Sequence, residues 1–296
     1  MTTMTGAPVV VGVDGSARAL AATETAAAEA ALRHRPLRIV HAFVWPTVGS
    51  AIPPGDFGPS LPAFRERADE IVAEAVRVAG KCSPGIAVTS EVTTGAPVPV
   101  LLAESRRAHL MVLGDRGVGG FAGLFLGSVA MQLATHGECP TLVVRGEQPS
   151  AGPVVVGVDG SAVSAHACTF AAEEASLRGV GLVALHVWRA PVIGTPGGTM
   201  PLVYDVDLLE EEERRVLAES TAGLAERYPD VPIRQEIIRG APGHELAQRS
   251  RSAQLMVVGS RGHGGFTGLL LGSVSQHLIG HAGCPVVVAR PQDPPG

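Results

Sequence analysis

The ten residues 8–17, PVVVGVDGSA, recur unchanged as residues 153–162, an offset of 145. An exact repeat of that length, half the chain apart, restricts the fold to two copies of one domain. The same offset joins His41 to His186, Gly95-Ala96-Pro97 to Gly240-Ala241-Pro242, and Cys139-Pro140 to Cys284-Pro285. Between residues 106–145 and 251–290 there are 23 identities in 40 positions. The register drifts only once, where Trp45 and Trp188 stand 143 apart in a Pro/Gly-rich stretch that tolerates insertion. The expected domains are therefore residues 1–147 and 152–292, joined by a short linker at 146–152.

Within the first copy, apolar runs alternate with helical patterns. Strands are expected at 9–13, 37–44, 86–92, 110–114 and 141–145. Helices are expected at 17–34, 63–79, 98–107 and 128–136. The stretch 45–62, with five prolines and three glycines, reads as a loop. Near-continuous apolar strands separated by helices imply a parallel sheet covered on both faces. The fold class is thus α/β, with two tandem Rossmann-like domains, each a five-stranded parallel sheet. Ligands in such folds bind outside the carboxyl ends of the strands.

Composition removes several functions. The net charge of −5 offers no footprint for nucleic acid. Lys81 is the single lysine and lacks the glycine spacing of a Walker loop, which excludes that motif. Four cysteines, none in CxxC spacing, exclude the common zinc and redox motifs, and Cys139 and Cys284 read as buried structural thiols. His244-Glu245 begins an HExxH pattern, but Gln248 stands where the second His is needed. No Gly-x-Ser-x-Gly elbow occurs. With neither a leader-like start nor a long apolar run, a cytoplasmic protein without membrane contact is expected.

The informative segment is a glycine-rich loop present in both copies. It runs from Gly114 through Asp115, Arg116, Gly117, Gly119, Gly120, Phe121 and Gly123 to Gly127-Ser128-Val129. Its counterpart runs from Gly259 through Ser260, Arg261, Gly262, His263, Gly264, Gly265, Phe266 and Gly268 to Gly272-Ser273-Val274. Both fit Gly-x2-Gly-x9-Gly-Ser, after an apolar strand and before a helix. Glycines allow backbone N–H groups to approach an anion, and the helix start adds free N–H donors and a favourable dipole. Arg116 and Arg261 supply phosphate-compatible guanidinium groups. The alternative is a purely structural strand–helix turn. Asp14 and Asp159 read either as ligand contacts or as caps of the helix that follows. His41 and His186 read as structural groups closing a strand end.

These motifs resemble those of the universal stress protein family, in its tandem, ATP-binding form. Val-Gly-Val-Asp-Gly-Ser, the glycine loop and Cys-Pro before the last strand carry the resemblance, in two copies. It implies ATP, accompanied by magnesium, across the first and fourth strand ends of each half. Gly12, Val13 and Asp14, with Gly157, Val158 and Asp159, would line the adenosine end. Ala42 and Val187 would meet adenine through backbone groups. Gly114, Gly117 and Gly127-Ser128-Val129 would hold ribose and phosphates, as would Gly259, Gly262 and Gly272-Ser273-Val274. It also implies that the halves pair through their last strands, as a pseudo-dimer within the chain, with a homodimer of full chains as a further option. The implied role is a nucleotide-dependent regulator of stress or growth with little turnover. A slow ATPase and an interaction module with incidental nucleotide are the alternatives. One departure stands out. Asp115 occupies a position where Ser260 is neutral; a carboxylate there repels phosphates unless it faces solvent, pairs with Arg116 or helps hold the metal, and the first site is expected to bind ATP more weakly.

Overall fold

The computed structural model describes residues 6–44, 61–118, 127–145, 151–189, 192–195, 198–201, 206–263 and 270–291. The chain divides into two compact units, Met1–Val144 and Arg145–Gly296.

The first unit runs β1 (Val9–Gly12), α1 (Ala17–Leu32), β2 (Leu37–Phe43), α2 (Leu61–Cys82), β3 (Val88–Thr94), α3 (Pro97–Ser105), β4 (Leu110–Gly114), α4 (Ser128–His136) and β5 (Thr141–Val144). All strand pairs are parallel, in the order β5-β4-β1-β2-β3. The central strands are fully buried: Val9, Val10 and Val11 in β1, and Met111 and Val112 in β4, have no exposed surface. Right-handed crossovers place α1 and α2 together on one face and α3 and α4 on the other. The order reverses at β1, so a crevice opens between the carboxyl ends of β1 and β4.

Helix α1 starts where Ser16 accepts a hydrogen bond from Ala19 N–H at 3.1 Å. It then presents Ala22, Ala26 and Ala30, all fully buried, at helical spacing. Side chains of a single methyl let this helix lie close on the sheet. The first helix of the second unit, Ala162–Arg178, repeats the cap: Ser161 accepts from Ser164 N–H, also at 3.1 Å.

The second unit contains β6 (Val154–Val158), α5 (Ala162–Arg178), β7 (Leu182–Trp188), β8 (Val192–Thr195), β9 (Gly198–Pro201), α6 (Val206–Ser220), α7 (Leu224–Arg227), β10 (Ile233–Arg239), α8 (Pro242–Arg249), β11 (Leu255–Gly259), α9 (Ser273–His281) and β12 (Val286–Ala289). Its parallel sheet has the equivalent order β12-β11-β6-β7-β10. The fold class is therefore α/β with two tandem Rossmann-like domains.

Three local expectations shift. Leu61 and Pro62, read as the end of a loop, open α2, because proline lacks only an N–H that the first helical turn leaves unpaired. The third strand is Val88–Thr94 rather than 86–92. It lies at the sheet edge and is half exposed, so its sequence carries no apolar run to mark its ends. In the second half, β8 and β9 form an antiparallel pair within a segment rich in turn residues. The rest of the expected loop, residues 45–60, lies outside the described residues. Among those described, no helix is long and apolar enough to cross a membrane.

Burial against Arg35 and Arg33 makes one titration in the first unit consequential. Burial, and then the charges of those arginines, lower the His109 pKa from 6.5 to about 4. The unfolded chain therefore takes a proton there first as the pH falls. Stability is full above about pH 6.5, declines down to about pH 4 and then levels off, a loss of about 2 kcal/mol after allowing for partial solvent screening. Urea unfolding from pH 7.5 to 4 should show this decline, and His109→Gln should flatten it.

Candidate functional site

A cavity of about 640 Å³ opens at the carboxyl ends of β1 and β4, within the ordinary range for a small-molecule pocket. Gly12, Val13 and Asp14 line it from β1 and the turn after it, and Val40 and Ala42 from β2. Gly114, Arg116 and Gly117 come from the end of β4 and beyond, and Gly127, Ser128 and Val129 from the start of α4. The structure thus brings the expected first-half residues to one place. Gly119, Gly120, Phe121 and Gly123 lie outside the described residues, as do Gly264, Gly265, Phe266 and Gly268.

The start of α4 differs from that of α1. Its cap is Gly127, and no side chain accepts a hydrogen bond from its first turn. The same holds for α9, capped by Gly272. Among the described residues, α1 and α5 have serine caps, whereas the two helices that follow the glycine loops have none. Their first-turn N–H groups stay available to an anion. Each cap residue is fixed from behind: Gly127 N–H donates to the Asp115 carbonyl and Gly272 N–H to the Ser260 carbonyl, both at 2.8 Å.

Asp14 does more than cap. Its Oδ1 accepts from Ser16 N–H at 3.0 Å and its Oδ2 from Val118 N–H at 2.8 Å. Asp159 repeats both bonds, with Ser161 N–H at 3.1 Å and His263 N–H at 2.9 Å. Each aspartate therefore ties the glycine loop to the turn after the first strand of its half. Burial works to raise the Asp159 pKa, but the hydrogen bonds from the Ser161 hydroxyl and N–H and from His263 N–H outweigh it and hold the carboxyl below its ordinary 3.8. This tether also explains the second glycine of the motif. A Cβ on Gly117 would lie 2.3 Å from Asp14 Oδ2, and one on Gly262 2.0 Å from Asp159 Oδ2. Any side chain there would displace the carboxylate.

The two histidines close the neighbouring strand ends. His41 Nδ1 lies 2.7 Å from the Val13 carbonyl, and His186 Nδ1 lies 2.7 Å from the Val158 carbonyl. Each staples the second strand of its half to the end of the first, next to Ala42 or Val187. His186 Nε2 also lies 2.7 Å from Glu213 Oε2 on α6. In the second half, Gly157 and Val158 end β6, Val187 lies in β7 and Gly259 ends β11. Arg261, Gly262 and His263 follow as exposed loop residues, and Ser273 and Val274 begin α9.

Asp115 does not line the first cavity. It is 4% exposed, with Arg18 Nε 3.5 Å from Oδ1 and Arg116 Nε 3.8 Å from Oδ2. The partner at the β4–α1 corner changes with it: Arg18 and Asp115 stand where the second half has Val163 and Ser260. Sequence reasoning missed Val40, Pro97 and Leu101 as lining residues. Pro97 belongs to the repeated Gly-Ala-Pro, a signal that could have drawn attention to it. Cys139, Cys168 and Cys284 are buried, and burial pushes the Cys168 and Cys284 thiols up to about 12, which leaves them unreactive.

Parallel sheets with a reversal at the first strand, each followed by a glycine loop and an uncapped helix, define a doubly wound α/β protein with an anion-compatible crevice. Comparison with known proteins agrees with that class and narrows it. The model of the universal stress protein family matches residues 7–145 and again 151–290. The chain is 40% identical over 292 residues to universal stress protein Rv2005c of Mycobacterium tuberculosis, covering 95% of this chain and 96% of that one. A universal stress protein of Mycolicibacterium smegmatis is 38% identical, covering 96% and 97%. Among solved structures, a universal stress protein from Archaeoglobus fulgidus covers 98% of this chain and all of its own, with a TM-score of 0.67 at 19% identity, a likeness of fold. The chain belongs to the universal stress protein family, with two tandem domains.

Proposed function

We propose that the chain binds ATP in each half and acts as a cytoplasmic, nucleotide-dependent regulator of a stress or growth response, with little or no turnover. The observation that carries this reading is the uncapped start of α4, with Ser128 and Val129 lining a cavity of about 640 Å³ beside Arg116. Backbone donors, a helix dipole and a guanidinium suit a chain of phosphates. The apolar walls from Val13, Val40 and Leu101 suit a base. The same backbone bonds recur at Asp159, His263 and Gly272, which supports a second site.

The residues present fit a magnesium triphosphate in one way only. Among the described residues no group of three or more metal-ligating side chains converges. Asp14 is the one carboxylate among the described lining residues, and both its oxygens already take backbone N–H groups. Magnesium would therefore be held mainly by phosphate oxygens and water. The same engagement leaves Asp14 poorly placed as a base for water, which supports retention of ATP over hydrolysis. None of the four cysteines forms a disulfide, which fits a reducing compartment.

The first half is expected to bind more weakly than the second, through occupation of Arg116 rather than direct repulsion. Asp115 holds that guanidinium at 3.8 Å, whereas Ser260 carries no charge to hold Arg261. The reading also includes pairing of the halves through their last strands, which small-angle scattering would overturn by finding the halves apart in solution. The deciding experiment is the nucleotide content of purified, acid-quenched protein, measured per chain by chromatography. Retained ATP supports the reading, and mostly ADP would move it to a slow ATPase. No nucleotide, with none taken up from added Mg-ATP, would overturn it. Titration of two single-site knockouts then tests the order of affinities, and equal values would remove Asp115 as a discriminator.

A further inference from the structure

Helix α9 carries a feature that nucleotide binding does not use. His277 and His281 stand one turn apart, past the first turn that faces the candidate site. Their rings stack, with centroids 4.3 Å apart and planes 12° from parallel. His281 Nδ1 lies 2.9 Å from the His277 carbonyl, so Nδ1–H donates to it and the lone pair sits on Nε2. A backbone carbonyl fixing one ring nitrogen while the other carries the lone pair is how metal-binding imidazoles are oriented. The His277 ring rests against Gly243 of α8, where a Cβ would stand 3.1 Å from ring Cγ and Cδ2. Glycine thus leaves room for the ring, and the first half, with Val98 there, has Gln132 in place of His277. His281 is exposed and His277 half-buried, so an ion can reach both.

We propose that His277 and His281 form a two-imidazole chelate for a borderline divalent transition ion such as Zn2+, present in the second half only. Imidazole nitrogen suits such ions, whereas Mg2+ prefers oxygen ligands. With no third ligating side chain converging among the described residues, water fills the remaining positions. Opening the stack, so that both Nε2 lone pairs meet one ion, takes side-chain rotations that are open to residues at a helix surface.

The test is calorimetric titration of the full chain, freed of metal by dialysis, with zinc chloride at pH 7.5, above the ordinary imidazole range. One Zn2+ per chain is expected, with no competition from magnesium chloride. Losing a buttressing contact to a ligand costs 10–100-fold in affinity, so losing a ligand should weaken binding by roughly tenfold or more in His281→Ala and His277→Gln alike. The glutamine variant installs the residue that the first half carries at the same register, so its fold is preserved. His136→Gln, the first-half counterpart of His281, should bind as the parent does. Absence of binding, or binding retained in both second-half variants, would overturn the proposal. Neither result would touch the reading of the nucleotide site, because ATP content is measured without added zinc.

Discussion

Replacing Ser128 and Ser273 together by aspartate should strip the protein of ATP while leaving it folded. Both residues open a helix that no side chain caps. A carboxylate in a first helical turn stabilises the helix by roughly 0.3–1 kcal/mol through the dipole and the free N–H groups. The same charge meets the phosphates that those N–H groups are proposed to hold. One added unit charge about 5 Å from a phosphate charge, at an effective dielectric of about 20, opposes binding by roughly 3 kcal/mol. That corresponds to a loss of at least about a hundredfold in affinity per site. Chromatography of the acid-quenched double variant should show no nucleotide, and its melting temperature without ligand should equal or exceed that of the parent. Retained ATP would mean that the phosphates lie elsewhere. The single variants separate the halves: Ser128→Asp should leave the second site filled and Ser273→Asp the first.

Glu29→Ala should cost the first domain a large share of its stability. Glu29 in the last turn of α1 pairs with Arg33, its C-cap, with side chains only 3% and 4% exposed. Removing the carboxylate takes away the charge that balances the buried guanidinium, which costs about 3–5 kcal/mol, a large share of a domain's net stability. The second domain repeats the pair as Glu174 and Arg178 at 3.1 Å, but there the arginine is 17% exposed. Glu174→Ala should therefore cost less, because water reaches the Arg178 guanidinium. Urea unfolding of the two variants measures the difference. Replacing both Glu29 and Arg33 by methionine should recover most of the loss, since the pair itself is close to neutral against apolar residues of similar size. Equal costs for the two single variants would show that exposure of the arginine does not set the penalty.

Much of this protein was legible in its residues. The repeat at offset 145 set two like domains. Runs such as Val9-Val10-Val11 and Leu110-Met111-Val112 announced central parallel strands, because strands buried on both faces need apolar side chains at every position. The loop glycines and the serine after them pointed to the start of α4 before its position was known. Edges were harder to read. Strand β3 is half exposed, so nothing in its sequence marks where it begins. Helix α2 starts at Leu61-Pro62, where composition suggested a loop.

What the tertiary structure alone decided is which partner each functional side chain keeps. The sequence determined that an aspartate follows the first strand and that a glycine stands three residues into the loop. Only the fold shows that Asp14 reaches across to Val118 N–H and occupies the space that a Cβ of Gly117 would need, 104 residues apart from its loop partner. A contact so distant along the chain exists only once the parallel sheet sets β1 beside β4. For the same reason Asp115, which in sequence sits among the loop residues, turns out to be buried against Arg18 and outside the cavity. Local spacing can name the residue types that phosphate chemistry needs. Which of them face the ligand and which face each other depends on burial, and burial is settled by packing.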